Sequence, residues 1–289
     1  MMKKLTILLM TIILFALPVR SFADMAEGDM IVTLGENLTE EQKTNLLKEM
    51  GAPQDVQIVT VTNQEEHQYL GKYIAKSLIG TKAISSSAIT AASKGSGITV
   101  KTKNINWVTD EMYVNALITA GVKDANIYIT APVTVSGTAA LTGIIKAYEI
   151  SADETIPEEV KQAANQEMVE TAKLGDSIGN ENAAALMAKI KEEIAKNKPK
   201  NDEELRKIIE QEAKELNVTL TEEQMQRLID LFNKIKGLDI DWNQVSDQLN
   251  KAKDRISNFL KSEEGQGFLE KIKQFFIWLI DTIKAIFSS

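Results

Sequence analysis

Hydrophobic positions along the first half of the chain switch between two periods. Met30-Ile31-Val32-Thr33-Leu34 is a short β-rich run, followed by a helical pattern over 39–50 that stops at Gly51, with Pro53 just beyond. Glycine takes the left-handed conformation cheaply and proline cannot continue a helix, so the pair marks a helix end. Residues 57–62 predict a second strand through Ile58, Val59 and Val61, and a helix is expected from about Glu65 to Ile79. The same order then recurs. Residues 98–102 alternate as a strand, a helix over 109–120 stops at Gly121, 125–130 reads as a strand, and a helix covers about Thr138 to Tyr148. Thr39, Asn45, Leu47 and Gly51 recur in register as Thr109, Asn115, Leu117 and Gly121. This spacing predicts a duplicated β-α-β-α unit. Between the copies, Lys94-Gly95-Ser96-Gly97 has hairpin chemistry, because glycine supplies the positive φ of a tight turn. The turn is expected to pair 83–92 with 98–102 and to join both units in one mixed sheet with helices packed on it.

Strand signals stop at residue 151. Ser151 and Pro157 open a helix expected to reach Leu174, and 175–180 reads as a turn. Residues 181–196 are helical, and 196–200, with Pro199, form a linker. Asp202 and Thr221 cap helices running to about Leu216 and Lys236, and a further helix starts at Asp241 or Asn243 and reaches Lys261. The fold class expected is therefore α/β, two β-α-β-α units with a mixed sheet over 24–150, followed by an all-α helical region over 151–289. The string LTEEQ occurs at 38–42 and again at 220–224. It is a capping box, in which Thr and Gln each satisfy a backbone N–H of the other, so its recurrence carries less weight than the spaced match above.

The N-terminus has a different pattern. Lys3 and Lys4 precede an uncharged apolar stretch from Leu5 to Ala16, Pro18 breaks it, and Ser21-Phe22-Ala23 offers small residues at −3 and −1. That is the form of a secretory signal peptide over 1–23, and the stretch is short for a span of about 20 residues. The segment 267–287 is amphipathic. Phe268, Ile272, Phe275, Phe276, Leu279 and Ile283 share one face, Trp278 lies beside it, and Glu270, Lys273, Asp281 and Lys284 lie opposite. Such a helix docks on the protein itself, on a membrane surface or on a protein partner.

Composition narrows the chemistry. The chain has 289 residues, no cysteine, one histidine and a net charge of −8, and loss of Lys3, Lys4 and Arg20 with the leader makes it more acidic. Zero cysteine removes thiol catalysis, thiolate metal sites and disulfides. The acidity excludes a broad nucleic-acid footprint. His67, among Glu65, Glu66 and Gln68, cannot build a multi-histidine zinc site and is expected to be an exposed helical residue. No calcium-loop pattern, Walker loop or G-x-S-x-G elbow is present, so no catalytic residue, metal or cofactor is assigned. Ser136-Gly137-Thr138 is the candidate anion or ligand site. Ser136 is placed as an N-cap, and free N–H groups at the start of a helix attract anions.

The strings SLIGTKAISSSAIT, INWVTDEMYVNALITAGVKDANIYITAP and VSGTAALTGIIKAYE resemble exported Gram-positive proteins of the domain of unknown function 1002 family. The resemblance is close over about 29–149 and looser to about Lys196. It implies an extracytoplasmic protein connected with the cell envelope, and it brings no catalytic residues. The expected function is a secreted or envelope-associated binding module with an envelope component or protein as partner. The alternative is a hydrolase of cell-wall or peptide substrate built on Ser136 and carboxylates. The two diverge on whether Ser136, Gly137, His67 and acidic side chains converge in a cleft.

Overall fold

A computed structural model describes residues 26–261. The leader at 1–23 and the amphipathic segment with Phe268, Ile272, Phe275, Phe276, Trp278, Leu279 and Ile283 lie outside the described residues. The first part contains β1 (Met30–Gly35), α1 (Glu40–Glu49), β2 (Gln57–Val61), α2 (Asn63–Leu70), the single turn α3 (Lys76–Ile79), β3 (Ser86–Ala91), β4 (Ile98–Ile105), α4 (Asp110–Thr119), β5 (Ala125–Val135) and α5 (Thr138–Ala152). Helices α6 (Glu158–Ile178), α7 (Asn180–Asn197), α8 (Asp202–Glu215), α9 (Glu222–Lys236) and α10 (Trp242–Lys261) follow. Local chemistry explains most ends. Thr39 and Thr221 form capping boxes with Gln42 and Gln224, Thr109 caps the Met112 N–H, and Gly51 and Gly121 have φ of 66° and 82°.

The five strands form one mixed sheet in the order β2-β1-β3-β5-β4. β1 and β2 are parallel, as are β4 and β5, and β3 runs antiparallel to β1 and β5. The hairpin expected at Gly95–Gly97 is therefore corrected. Both glycines have positive φ, but β5 lies between β3 and β4, so the turn joins strands that do not pair. The repeated order of elements is also not a repeated shape. Steps β1→β2 and β4→β5 go the same way across the sheet, yet α1 packs with Val32, Leu34 and Ala88 while α4 packs with Ile31, Val100 and Ile127 on the other face. The two crossovers have opposite hand, so one departs from the right-handed rule and no rotation superimposes the units. Glu49 ties α1 to its face, accepting from Tyr128 Oη at 2.9 Å, Thr130 Oγ1 at 2.9 Å and Lys103 Nζ at 2.7 Å.

Helix α5 crosses β1, β2 and β3 on the α4 side of the sheet. Gly143 permits this approach: a Cβ there would lie 2.8 Å from Thr33 Oγ1 and 2.9 Å from Val61 Cγ2. Thr33 cannot yield freely, because its hydroxyl bonds Ser87 Oγ at 2.7 Å in a buried pair. Gly143→Ala is therefore expected to lower stability by about 1–2 kcal/mol in urea denaturation. Overpacking costs about 1–3 kcal/mol and the helix-propensity gain returns up to about 1. A more stable variant would show that the contact relaxes freely.

Several boundaries differ from expectation for tertiary reasons. The helix expected over 65–79 breaks after Leu70, where Lys173 Nζ takes the Tyr73 carbonyl at 2.6 Å, and resumes as α3. The turn expected at 175–180 is helical to Ile178 and breaks at Gly179 (φ 90°); Gly175 marks the close approach of Asn180 rather than a stop. α5 continues through Ser151 to a left-handed Asp153, and Asn201, not Asp202, caps α8. One apolar core runs from Ile31, Val100 and Leu117 through Ile144 to Met168, Ala184 and Leu249, so sheet and helices share it. A second core lies among α6, α7, α8 and α9, with Met187, Ile190, Leu205, Leu228 and Phe232 at its centre.

Candidate functional site

Helices α2, α5 and α6 enclose a cleft of about 170 Å³. Glu65, Tyr69, Thr142, Ile145, Lys146, Glu149, Lys161 and Asn165 line it. The start of α2 fixes the first wall. Thr62 Oγ1 accepts from Glu65 N at 3.1 Å, and Glu65 Oε2 accepts from Thr62 N at 2.8 Å. This capping box aims Glu65 Oε1 at Lys146 Nζ, 2.6 Å away on α5. Lys146 also donates to Thr60 O at 3.0 Å. The opposite wall is fixed by the α5–α6 connection: Glu149 Oε1 accepts from Ile156 N at 2.8 Å and Lys161 Nζ at 3.2 Å. Tyr69 donates to Glu158 at 3.2 Å on the rim.

The floor is different. Thr142 is 5% exposed and Asn165 is 1% exposed. Asn165 Nδ2 donates to Lys161 O at 2.8 Å, but Asn165 Oδ1 and Thr142 Oγ1 have no partner. The rim charges neutralise one another. Burial raises Glu65, but the Lys146 ammonium and the Thr62 hydrogen bonds outweigh it and hold the carboxyl below the usual range. Burial likewise disfavours the Lys161 ammonium, but Glu149, Tyr69 and Glu158 carry its pKa above the usual lysine value.

A second cleft of about 180 Å³ lies between the end of α4 and the start of α10, with Lys123, Tyr148, Glu154, Asp239 and Asp241 in its lining. There Gln244 Nε2 donates to Gly121 O at 2.9 Å, and Asp241 Oδ1 accepts from Asn243 N at 2.9 Å as a cap. Neither unpaired floor atom of the first cleft has a counterpart in this lining.

The sequence candidates lie elsewhere. Ser136, Gly137 and Thr138 join β5 to α5 and line neither cleft. Gly137, at φ 91°, is the N-cap, so Ser136 is not; its Oγ instead sits 3.3 Å from Thr138 Oγ1. The buried Tyr113 hydroxyl donates to Gly137 O in this loop. His67 is half-buried rather than exposed, its Nε2 3.0 Å from Gly80 O, and it too lines neither cleft. These groups do not converge. The cleft itself left a trace in the sequence: Thr142, Lys146 and Glu149 fall at i, i+4 and i+7 of an otherwise apolar helix, a polar stripe on one face. Among the described residues, no group of three or more histidine or acidic side chains is arranged to hold a metal, and no helix is long and apolar enough to cross a membrane.

The chain is thus a mixed α/β sheet protein with an appended helical part and a small polar cleft between them. It belongs to the family of proteins of unknown function DUF1002, whose model matches residues 34–252. It is 58% identical to the uncharacterized protein YpuA of Bacillus subtilis (strain 168) over 289 residues, covering 99% of this chain and 100% of that relative. No solved structure matches it.

Proposed function

We propose that the protein is an exported, envelope-associated module that binds a small polar ligand in the α2–α5–α6 cleft without turning it over. The observation that carries this reading is the cleft itself, lined by the polar side chains of Glu65, Tyr69, Lys146, Glu149 and Lys161, with the unpaired oxygens of Thr142 and Asn165 buried in its wall. Each unpaired oxygen costs about 1–3 kcal/mol, and a side-chain movement that brings either one to a ligand offsets that cost. A binding role fits the rim better than acid–base chemistry. Catalysis by two carboxyls needs environments that push their pKa values apart, whereas Glu65 and Glu149 each face a lysine. Export is supported by the leader pattern at 1–23.

The test is thermal unfolding of the mature chain, residues 24–289, with and without a low-molecular-mass extract of the host's envelope. The extract is expected to raise Tm by several degrees through linkage. Thr142→Val, which removes an unpaired atom and keeps the shape, is expected to keep or raise the ligand-free Tm and lose the response; Asn165→Ala, which also loses the Nδ2–Lys161 O bond and leaves a cavity, is expected to lower the ligand-free Tm and lose the response. An unchanged wild-type Tm, or an equal rise in both variants, contradicts the reading.

A further inference from the structure

We propose that α2 is a pH-sensitive wall of this cleft: ionisation of the buried Glu66 carboxyl frees the helix from α5 and α6 and opens the cleft between them. The inference rests on the cleft being a binding site and adds what controls entry to it. Helix α2 is eight residues long and buries only Glu66 and Leu70. One of the two side chains that seat it is therefore a carboxyl, 1% exposed, whose Oε1 has no partner. Its polar ties to the body include the Glu65–Lys146 pair, Tyr69 to Glu158 on the rim, and His67 to Gly80 O. The Glu65 and Lys146 side chains are 29% and 38% exposed, and ties so open to solvent contribute little. Glu65 and Tyr69 line the cleft, so a displaced α2 takes one wall with it.

Among the described residues no cation offsets an ionised Glu66. Glu36, between β1 and α1, accepts from Asn63 N at 2.8 Å at the start of α2 and repels it, and a hydrogen bond from Asn63 alone favours its charged form. The charges on the elements packed against α2 are engaged elsewhere. On α5, Lys146 binds Glu65; on α6, Lys161 binds Glu149 and Glu158, and Lys173 binds Glu170. Lys72, Lys76 and Lys82, beyond the helix, are exposed. Burial and Glu36 accordingly push the Glu66 pKa up to about 8, against 4.5 in water. An opened α2 returns the carboxyl to solvent, so between these two values opening releases a proton and becomes about tenfold more favourable per pH unit. Below pH 4.5 the carboxyl is protonated in both forms, and above about pH 8 it is ionised in both and the effect levels off.

Native-state hydrogen exchange of residues 24–289 at pH 5.5, 6.5 and 7.5, corrected for intrinsic exchange rates and repeated in low urea, tests this. The opening equilibrium of amides 66–71 is expected to rise about tenfold per pH unit, to be unmoved by low urea, and to lose its pH dependence in Glu66→Gln. A flat pH profile in the wild type, or the same slope in Glu66→Gln, overturns Glu66 as the trigger. Opening of 66–71 that grows with urea as steeply as that of α5 overturns a wall that moves by itself. No ligand is added, so these results stand apart from the thermal-unfolding test, which decides whether the cleft binds.

Discussion

Lys191→Met is expected to lower the unfolding free energy by about 3–5 kcal/mol, because it leaves the partner carboxylate buried without a counter-charge. Lys191 on α7 and Glu167 on α6 are both fully buried, with Nζ and Oε1 2.7 Å apart. The ammonium also donates to Asn115 O at 2.8 Å and Thr119 Oγ1 at 3.2 Å on α4, and Thr119 in turn donates to Glu167 Oε2. Asn115 completes the seam by donating to Ala184 O at 2.9 Å. The network stitches the α/β part to the helical part where α4, α6 and α7 meet. Burial pulls the Lys191 pKa below the usual lysine value, only partly opposed by Glu167. Removing both charges, as in Glu167→Met with Lys191→Met, should recover at least half of the loss, since a buried pair is worth little more than well-packed apolar groups. Urea denaturation of the two single variants and the double variant measures this. A single-variant loss under about 1 kcal/mol would falsify the burial of an intact ion pair.

Glu66→Gln has the opposite sign. Glu66 is 1% exposed and its Oε1 has no partner. Burial, reinforced by the nearby Glu36 and opposed by a hydrogen bond from Asn63, pushes its pKa up from 4.5 to about 8. Below pH 4.5 the carboxyl is protonated folded and unfolded, and the group costs nothing. Between pH 4.5 and about 8 only the unfolded state releases the proton, so stability falls by about 1.4 kcal/mol per pH unit from this group, and above pH 8 the loss levels off. Glutamine keeps the shape and never ionises. The variant should match the wild type near pH 4.5 and exceed it by about 3 kcal/mol at pH 7. Unfolding free energies at pH 4.5, 6 and 7 decide it; a gain that does not grow with pH contradicts a buried, ionisable Glu66 as its cause.

What the sequence made legible was local. The boxes at Thr39 and Thr221, the Thr109 cap and the stops at Gly51 and Gly121 depend on residues a few positions apart, and each is where the spacing placed it. The alternation of strands and helices up to residue 150 and the change to helices after it follow from periodicity alone. Pairing was not legible. Gly95 and Gly97 make a turn, but the partner of β3 is β5, which follows β4 in the chain, and no turn residue encodes that insertion. Gly143 and Gly175 look like any glycine in a helix until the neighbour that needs the space is known.

Charged residues are hard to place from sequence for a related reason. Lys191 sits four positions after Met187, on the buried side of the stripe that includes Ile190 and Ile194, while Lys189 two positions earlier is half-buried at the edge and binds Glu212 and Glu215. Helical phase separates the two lysines; composition does not. The polar stripe of Thr142, Lys146 and Glu149 is likewise visible in phase, but Asn165 and Glu65 join it only through the packing of α2 and α6 on α5. Ser136 stands out in sequence for its place between a strand and a helix, where the Tyr113 hydroxyl donates to the Gly137 carbonyl.

The most direct measurement is backbone amide NMR of isotopically labelled residues 24–289 as the envelope extract is added. Shifts confined to 62–69, 142–149 and 156–165, absent from a Thr142→Val variant of unchanged Tm, are the predicted result. Shifts centred on 136–138 or on 239–245, or the same shifts in that variant, would contradict a ligand held in the α2–α5–α6 cleft.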